Sequence, residues 1–565
     1  FPAVRGHWVD VGGMVPGSYS GLSTNIYQEG VRIPPIKLYE AGKVNRAAMS
    51  LLMANMRIPD EREGDLNASL GACRVASTRI RKLYEKYGET TVEACVAVNL
   101  DRTERRLRDK IALLPDGDYY YEDYLEFYNA GQLDPVLVRF KLTVSGDQLI
   151  ADFAGTNTQV PGVVNSSLAV AGAGVFVAVK STLDPGGAMN HGAFRPIELR
   201  APEGSVVDVR DDAPAGAHGE VRKRAVSVAL GALSQIIPDL VSGDLCGTSF
   251  PNAIGGMNSR VGRPYVYYEA PAGGNGGFLE ADGSSAFVNV DFGNLPSISN
   301  AEMIENSMPL LVERSEIRTD SGGAGKQRGG LGMLREVRLL DEEASYSVLS
   351  DRAVIPPYGI NGGGSAMPYQ VSITRGTEAI MFDTPGKVTG YPIRKNDVVV
   401  MRSAGGGSYG DPLERDPALV CADIEKGYVS QEKAQEQYGV ILNASGELNV
   451  KMTSSCREAL RAKRFHIPVR IDNALEYYTG KKGHRRLLTV ATEIAQKLGV
   501  ADDDMVEILG ENPAPLRAWI RINALASSDS IPLDDFATKV LGITESSIVW
   551  IRPLSTPTVP AGLAS

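Results

Sequence analysis

A histidine and an aspartate stand three residues apart at His7 and Asp10, inside Arg5-Gly-His-Trp-Val-Asp-Val-Gly-Gly13. Imidazole and carboxylate are good ligands for a hard or borderline divalent cation. Val9-Asp10-Val11 reads as a short strand, and the Gly pair behind it allows a tight turn or a close backbone approach to a ligand. The same pattern suits a surface histidine beside a turn aspartate, so the rest of the chain has to decide. A second group of reactive side chains lies in Ala213 to Arg224, Ala-Pro-Ala-Gly-Ala-His-Gly-Glu-Val-Arg-Lys-Arg. A small-residue loop at a helix start suits an anionic ligand, and His218 and Glu220 are the candidate catalytic acid–base groups. A helix start with a polar cap is the equal alternative. Glu302 and Glu305 share a helix face at a spacing of three, which fits metal or acid–base work but more often marks an exposed pair. His191 and Arg195 lie in a loop, Gly186 to Pro196.

Glycines crowd Arg318 to Gly332, which implies backbone packed close to a ligand, another chain or a turn. The segment is not a phosphate-binding loop. That motif needs Gly-Lys-Ser/Thr, whereas Gln327 follows Gly325-Lys326, and Asp320 stands where its first glycine belongs. The sequence shows no GxGxxG opening a helix after a strand, so no nucleotide site of the chain's own is expected.

These residues need a scaffold. Residues 14 to 45 read as an extended, loop-rich segment. Asp65 is placed to cap a helix over 65–87, with apolar residues from Leu66 to Tyr87 at steps of three and four and Gly88 as the stop. Arg74, Arg79, Arg81 and Lys82 fall on its polar side. From Leu113 the texture becomes strand-like. Tyr119 to Tyr128, Val136 to Val144 and Leu149 to Phe153, with a turn at Ser145-Gly146-Asp147, form an antiparallel meander rather than βαβ units. Leu168 to Val179 is buried but of undecided type. A helix is expected over Ala225–Ile237, stopped by Pro238, and a loop over Asp291 to Asn300. Asp416 and Pro417 start a helix that ends near Gly427; a second runs from Gln431 to Tyr438 and stops at Gly439. Beyond about 446, Leu498-Gly-Val and Leu541-Gly-Ile each begin a helix-end, turn, strand pattern, loosely two copies of one unit. The expected fold class is α+β: β-rich, largely antiparallel sheets with Gly-rich loops and a few helices, plus a small C-terminal α+β domain. The expected division is 1–112, 113–445 and 446–565.

The 565 residues, with 43% hydrophobic and 22% charged content, are ordinary for a globular protein of two to four domains. Net charge is −10, and no Lys/Arg-rich run with interleaved aromatics occurs, which argues against nucleic-acid binding. The 12-residue apolar run Leu168–Val179 is too short to span a bilayer. The five cysteines include no CxxC, so no zinc knuckle or redox pair is expected, and an odd number fits a reducing compartment. No signal peptide is visible, so the expected location is cytoplasmic. The chain opens on Phe1 and runs straight into a polar motif, as a fragment or a processed chain does.

The ordered motifs resemble one family: the B subunits of hydantoinases and 5-oxoprolinases, with the acetone and acetophenone carboxylases. The matching segments are the Arg5–Gly13 motif, Gly64-Asp-Leu66, Leu114-Pro-Asp-Gly117, Asp152-Phe-Ala-Gly-Thr156, Phe194-Arg-Pro-Ile197, Pro214 to Arg224, Asp320 to Gly325 with Arg328 to Gly332, and Gly405 to Pro412. The resemblance covers residues 1 to about 440. It implies a subunit of a hetero-oligomer that works with a larger, hydantoinase-A-like ATP-binding subunit, ATP and Mg lying on that partner. ATP would phosphorylate the substrate oxygen, and this subunit would take part in cleaving a cyclic amide. The alternative is joining an activated ketone to a carboxyl donor, and a non-catalytic scaffold is a third reading. By the same resemblance His7 ligates a divalent metal, Zn or Mn, with Asp10 as orienter or turn-former. The remaining ligands would come from an amino-terminal segment that this chain does not contain. Asn67-Ala68-Ser69 departs from the family's usual Ala-Gln, and the segment after 446 lies beyond the end of simple hydantoinase members.

Overall fold

The computed structural model describes residues 1–287, 298–474 and 485–554. The loop expected over 291–300 therefore lies mostly outside the described residues. The first sheet has the strand order Gly117–Leu125, Val136–Ser145, Gln148–Asp152, Ile197–Arg200. Its central strand alternates between buried and half-exposed residues along most of its length, as a strand with one face on the core must. The expected turn at Gly146 is present, with φ +59°. The fourth strand differs from the expected meander: Ile197–Arg200 pairs parallel to Gln148–Asp152. The undecided apolar run is the helix between these two strands, Leu168–Leu183. It shows little amphipathic period because it is enclosed by the sheet and a second helix. Gly174 makes that contact possible, since a Cβ there would lie 2.4 Å from the Arg222 carbonyl oxygen.

That second helix is His218–Ser234, with fourteen of its seventeen residues buried. It begins seven residues before the expected Ala225. Arg222-Lys223-Arg224 look like solvated polar loop in sequence, but Arg224 is fully buried and ion-paired. Two further expectations are corrected. The helix assigned to 65–87 begins at Pro59, with Pro at its first position and Asp60 and Glu61 in its first turn, and ends at Gly88 as expected. A second helix, Glu89–Ile111, follows at once. Val9–Val11 is not a strand but irregular backbone. Asp10 shapes it, accepting from the Gly12 and Gly17 amides at 3.0 and 2.8 Å and from Arg57 at 3.0 Å.

Two antiparallel sheets share the second core. One has four strands, ordered Arg263–Glu269, Asn252–Asn258, Glu343–Leu349, Lys387–Arg394. The other has five, ordered Leu310–Ile317, Met333–Leu339, Val398–Arg402, Gln370–Arg375, Glu378–Ile380. Tyr346, Tyr369, Val399 and Met401 fill the space they enclose.

The glycine-rich loops form a layer of their own. Gly406 N donates to Gly330 O at 2.9 Å, Gly330 N to Asn275 O at 2.7 Å, and Gly277 N to Gly407 O at 2.9 Å. Backbone packs on backbone with no room for side chains: a Cβ on Gly323 would meet Gly364 O at 2.3 Å.

The carboxy-terminal sheet has six strands in the order Leu487–Val490, Leu516–Ile522, Met505–Leu509, Ile548–Pro553, Phe465–Ile471, Ile531–Leu533. The two copies suspected from sequence exchange strands. Phe465–Ile471 pairs parallel with Ile531–Leu533, and Leu516–Ile522 pairs parallel with Leu487–Val490. Helices Thr492–Leu498 and Asp535–Leu541 occupy equivalent places and end on left-handed Gly499 and Gly542. This unit shares one continuous apolar core with the first sheet and the helix His218–Ser234. Tyr121 also donates to Pro515 O across the junction at 2.9 Å.

Gly323→Val is expected to cost about 3 kcal/mol, the upper end for overpacking. Gly71→Ala, on an exposed helix with nothing within 4 Å of the new Cβ, is expected to stabilise by up to about 1 kcal/mol. Asp123→Asn, which weakens the hold on three buried guanidinium groups, Arg224, Arg352 and Arg517, is expected to cost about 3–5 kcal/mol. Urea unfolding of the three variants checks these values.

Candidate functional site

A cavity of about 530 Å³ opens where the amino-terminal segment, the helix His218–Ser234 and the four-stranded sheet meet; Arg5, His7, Tyr19, His218, Glu220, Arg222 and Tyr268 line it. The amino-terminal segment reaches the sheet through glycine. Gly17 has φ +81° and a Cβ there would lie 2.9 Å from Ala253 Cβ, while one on Gly255 would lie 2.2 Å from Pro16 Cβ. Close contact at these two points carries Tyr19 beneath Tyr268. On the far side, Glu29 accepts from the Ala215 and Gly216 amides at 3.0 and 2.7 Å. It thereby holds the small-residue loop ahead of the helix.

His7 and His218, distant in the chain, come together with ring centroids 6.4 Å apart. His7 Nε2 shares a hydrogen bond with the Tyr19 hydroxyl at 3.1 Å, and Tyr19 shares one with the Tyr268 hydroxyl at 3.2 Å. The two tyrosine rings stack at 5.4 Å. His218 Nδ1 lies 3.1 Å from the Ala215 carbonyl oxygen, and donation to that oxygen leaves Nε2 as the lone-pair nitrogen. Burial pushes the pKa of His7 below the ordinary imidazole value, and the Arg222 cation lowers it further. Burial also lowers His218, against the opposing effect of its bond to Ala215; His7 and Arg222 add to the lowering. Both rings are therefore neutral at pH 7. Burial raises both tyrosines, so their hydroxyls keep their protons.

Glu220 is buried, and burial with the nearby Asp351 charge raises its pKa despite the Thr248 hydrogen bond and the Lys223 and Lys387 charges. Its carboxyl oxygens accept from the Ser249 and Asp351 amides at 3.0 and 3.2 Å. It ties the helix to two loops at the wall of the cavity. Both His218 and Glu220 lie in the first helical turn, not in the loop expected from sequence. Asp10 is engaged with turn amides and Arg57, away from His7, whose partner is Tyr19. Glu305 accepts from the Val312 amide at 3.1 Å, and Glu302 is exposed beside it. Arg195 bridges Asp101 and Glu104, and neither it nor His191 lines the cavity.

Sequence reading missed Tyr19, Tyr268 and Glu29. Tyr268 had a usable signal, since it lies in an aromatic-rich segment that forms the strand Arg263–Glu269. Tyr19 and Glu29 had none, because their partners are remote in the chain.

The donor chemistry of a divalent cation site is half present. Two neutral imidazoles face one cavity, but no group of three or more His, Cys, Asp or Glu side chains able to hold a metal occurs among the described residues. Three or four protein ligands make a tight site, so these residues do not by themselves fit one.

A family model described as hydantoinase B/oxoprolinase matches residues 1–412. The B subunit of a putative D-/L-hydantoinase from Pseudomonas sp. strain NS671 is 30% identical over 470 residues, covering 81% of this chain and 78% of the relative. The crystal structure of ATP-dependent caprolactamase from Pseudomonas jessenii superposes with a TM-score of 0.75 at 28% identity, covering 80% of this chain and 79% of that one. Nucleotide-free acetone carboxylase gives the same TM-score at 19% identity, covering 81% and 67%, and shows the fold alone.

His7 and His218 are expected to titrate with midpoints below 6.5, read from imidazole NMR shifts against pH. Because the unfolded chain binds these protons first, the two residues should make the fold lose stability as pH falls through and below about 6.5. His218→Gln should flatten that slope.

Proposed function

The chain belongs to the hydantoinase B/oxoprolinase family, and from that premise we propose that it is a subunit of an ATP-dependent amidohydrolase. It cleaves a cyclic amide whose carbonyl oxygen has been phosphorylated by an ATP-binding, hydantoinase-A-like partner. Relatives named as the B or beta component of their enzymes imply a second, partner component, and ATP with Mg is assigned to it. No described helix is long and apolar enough to cross a membrane.

The observation that carries this reading is the cavity lined by two neutral imidazoles, two protonated tyrosines and two arginines. A neutral imidazole accepts a proton from the water that attacks the activated carbon. His218 Nε2 is the nitrogen suited to this, since Nδ1 is engaged with Ala215. The Tyr19–Tyr268 pair supplies a hydroxyl proton toward the leaving nitrogen or the developing oxyanion. Arg5 and Arg222 favour an anionic group at the same place, a phosphoryl on the substrate or the carboxylate formed on ring opening. We assign His7 as one ligand of a divalent metal, Zn or Mn, with ligands from outside the described residues completing the set.

A ketone carboxylase subunit is the second reading. It rests on the family resemblance of the motifs, and acetone carboxylase shares the fold. The test reconstitutes the chain with its A-type partner and supplies ATP with either a hydantoin or lactam, or a ketone and bicarbonate. Ring opening supports the proposal. Carboxylate formation from the ketone replaces it with the second reading. A full assembly inert to both leaves a scaffold. In the hydrolytic case His218→Gln is expected to lower kcat/KM by about 10²–10⁴. His7→Ala should remove metal, read by elemental analysis, and turnover together; unchanged metal and rate would sink that assignment. The chain alone is expected not to hydrolyse ATP.

A further inference from the structure

No carboxylate meets the His218 ring, yet one stands a single peptide away. The unit joining Ala215 to Gly216 is engaged at both ends. Its N–H, on Gly216, donates to Glu29 Oε1 at 2.7 Å, and its C=O, on Ala215, lies 3.1 Å from His218 Nδ1. The same carbonyl accepts from the His218 amide at 2.9 Å. The second carboxylate oxygen of Glu29 takes the Ala215 amide at 3.0 Å. A trans peptide points its N–H and its C=O in opposite directions from one rigid plane. Glu29 and the imidazole therefore sit on opposite sides of that plane. An anion at the N–H end polarises the unit and strengthens its oxygen as an acceptor.

The amino-terminal motif delivers Glu29 to this place. A Cβ on Gly13 would lie 3.0 Å from the Glu29 carbonyl oxygen, so only glycine admits the close approach. Beyond Glu29, Gly30 has φ +136°, and Val31 N donates to Val11 O at 2.9 Å. Gly216 carries no side chain where the carboxylate rests; a Cβ there would lie 3.0 Å from Oε1. Among the described residues the carboxylate's hydrogen-bond partners are these two amides. Burial raises its pKa, and the two amides oppose the rise. The loop has anchors that do not involve Glu29: Ala217 N donates to Val163 O at 3.0 Å, and Asn165 Nδ2 to Pro214 O at 2.8 Å. A desolvated carboxylate is thus more than the loop needs to stay in place.

We propose that Glu29 is a positioning residue for His218: through the Ala215–Gly216 peptide it holds the imidazole as the Nδ1–H tautomer and leaves Nε2 as the lone-pair nitrogen. The intervening peptide fixes the tautomer without setting a negative charge against the ring. As a statement about catalysis the inference rests on His218 being the proton acceptor of the hydrolysis proposed above. As a statement about the tautomer it stands apart from that reading.

The test uses the whole chain with isotope-labelled histidine. Five histidines are present, and His218→Gln identifies the signals of interest by their loss. At about pH 8, where the ring is neutral, long-range nitrogen–proton correlation spectra distinguish Nδ1–H from Nε2–H. The unaltered chain should show His218 as Nδ1–H. Glu29→Gln keeps the side-chain shape, removes the charge and turns an NH2 group toward one of the two amides. It should move the Nδ1–H proton upfield, as a weaker hydrogen bond does, and bring in the Nε2–H form. Gly216→Ala, which pushes Oε1 aside with Glu29 intact, should give a smaller change in the same direction, and it decides alone if Glu29→Gln does not fold. His218 signals identical to those of the unaltered chain in the folded variants would overturn the proposal, as would a predominant Nε2–H form in the unaltered chain. Turnover separates this inference from the assigned reaction. In the reconstituted enzyme Glu29→Gln should lower kcat by about 10²-fold, the effect of a misplaced group, with KM little changed. A changed tautomer with unchanged kcat keeps the positioning role and removes His218 as the base. An unchanged tautomer overturns the positioning role whatever kcat does.

Discussion

The guanidinium of Arg224, fully withdrawn from solvent, donates to Asp123 at 2.8 Å and to Asp351 at 2.6 Å. Three parts of the molecule meet there: the helix His218–Ser234, the strand Gly117–Leu125, and the turn after the strand Glu343–Leu349. Arg352 extends the network, donating to Asp123 at 2.7 Å and to Asp244. Burial alone would raise the Asp123 pKa; Arg224, Arg352 and Arg517 outweigh it and hold the group well below the usual carboxylate range. Such pairs are a weak source of net stability, because desolvation offsets their attraction, but losing one partner strands a charge. Their effect is therefore positional. Asp351 also donates its amide to Glu220, so the clamp that orients the helix also sets its first turn, where His218 faces the cavity.

The glycine layer answers the same need by other means. Loops around Gly243, Gly274, Gly330, Gly364 and Gly406 stack through backbone hydrogen bonds, with no side chains between them. The layer and the ion network are joined at Asp244. Its amide donates to Tyr358 O, its carbonyl accepts from Gly407 N, and its carboxylate takes Ser227 and Arg352. Arg352 itself has φ +57°, a conformation that costs a non-glycine residue about 1–3 kcal/mol and persists only when its surroundings fix it. Here those surroundings are two buried carboxylates.

Local chemistry was legible in the sequence wherever it was sufficient. Asp416 and Gly439 bound the helices Pro417–Glu425 and Gln431–Tyr438 as expected, because caps act within one turn. The hairpin at Gly146 and the repeated helix–glycine–strand unit were readable for the same reason. The errors fall where tertiary burial overrides local character. Arg222-Lys223-Arg224 look solvated, whereas burial carries the helix back through them to His218. Leu168–Leu183 lacks a helical period because nearly every side is covered. Of the cavity, His7, His218 and Glu220 could be chosen by residue type. Tyr19, Tyr268 and the Glu29 clamp depend on contacts between remote segments, and no spacing in the chain announces them.

The electrostatics of the cavity follow from its walls. Arg222 carries a fixed charge in the same cavity as two partly desolvated imidazoles, so protonating either ring would set a second cation near it in a medium that screens poorly. The rings stay neutral, and the cavity keeps positive charge without losing its proton acceptors. A hydrolytic site for a phosphorylated amide needs both properties at once. The cation attracts the anionic leaving region, while a lone pair has to remain free for the attacking water. A histidine paired with a carboxylate would gain basicity but would also cancel that positive potential. Glu220, the nearest acid on the same helical turn, gives its oxygens to the Ser249 and Asp351 amides instead. It fixes the helix and leaves the His218 ring with no carboxylate against it, which keeps the imidazole pKa low and its nitrogen available near neutrality.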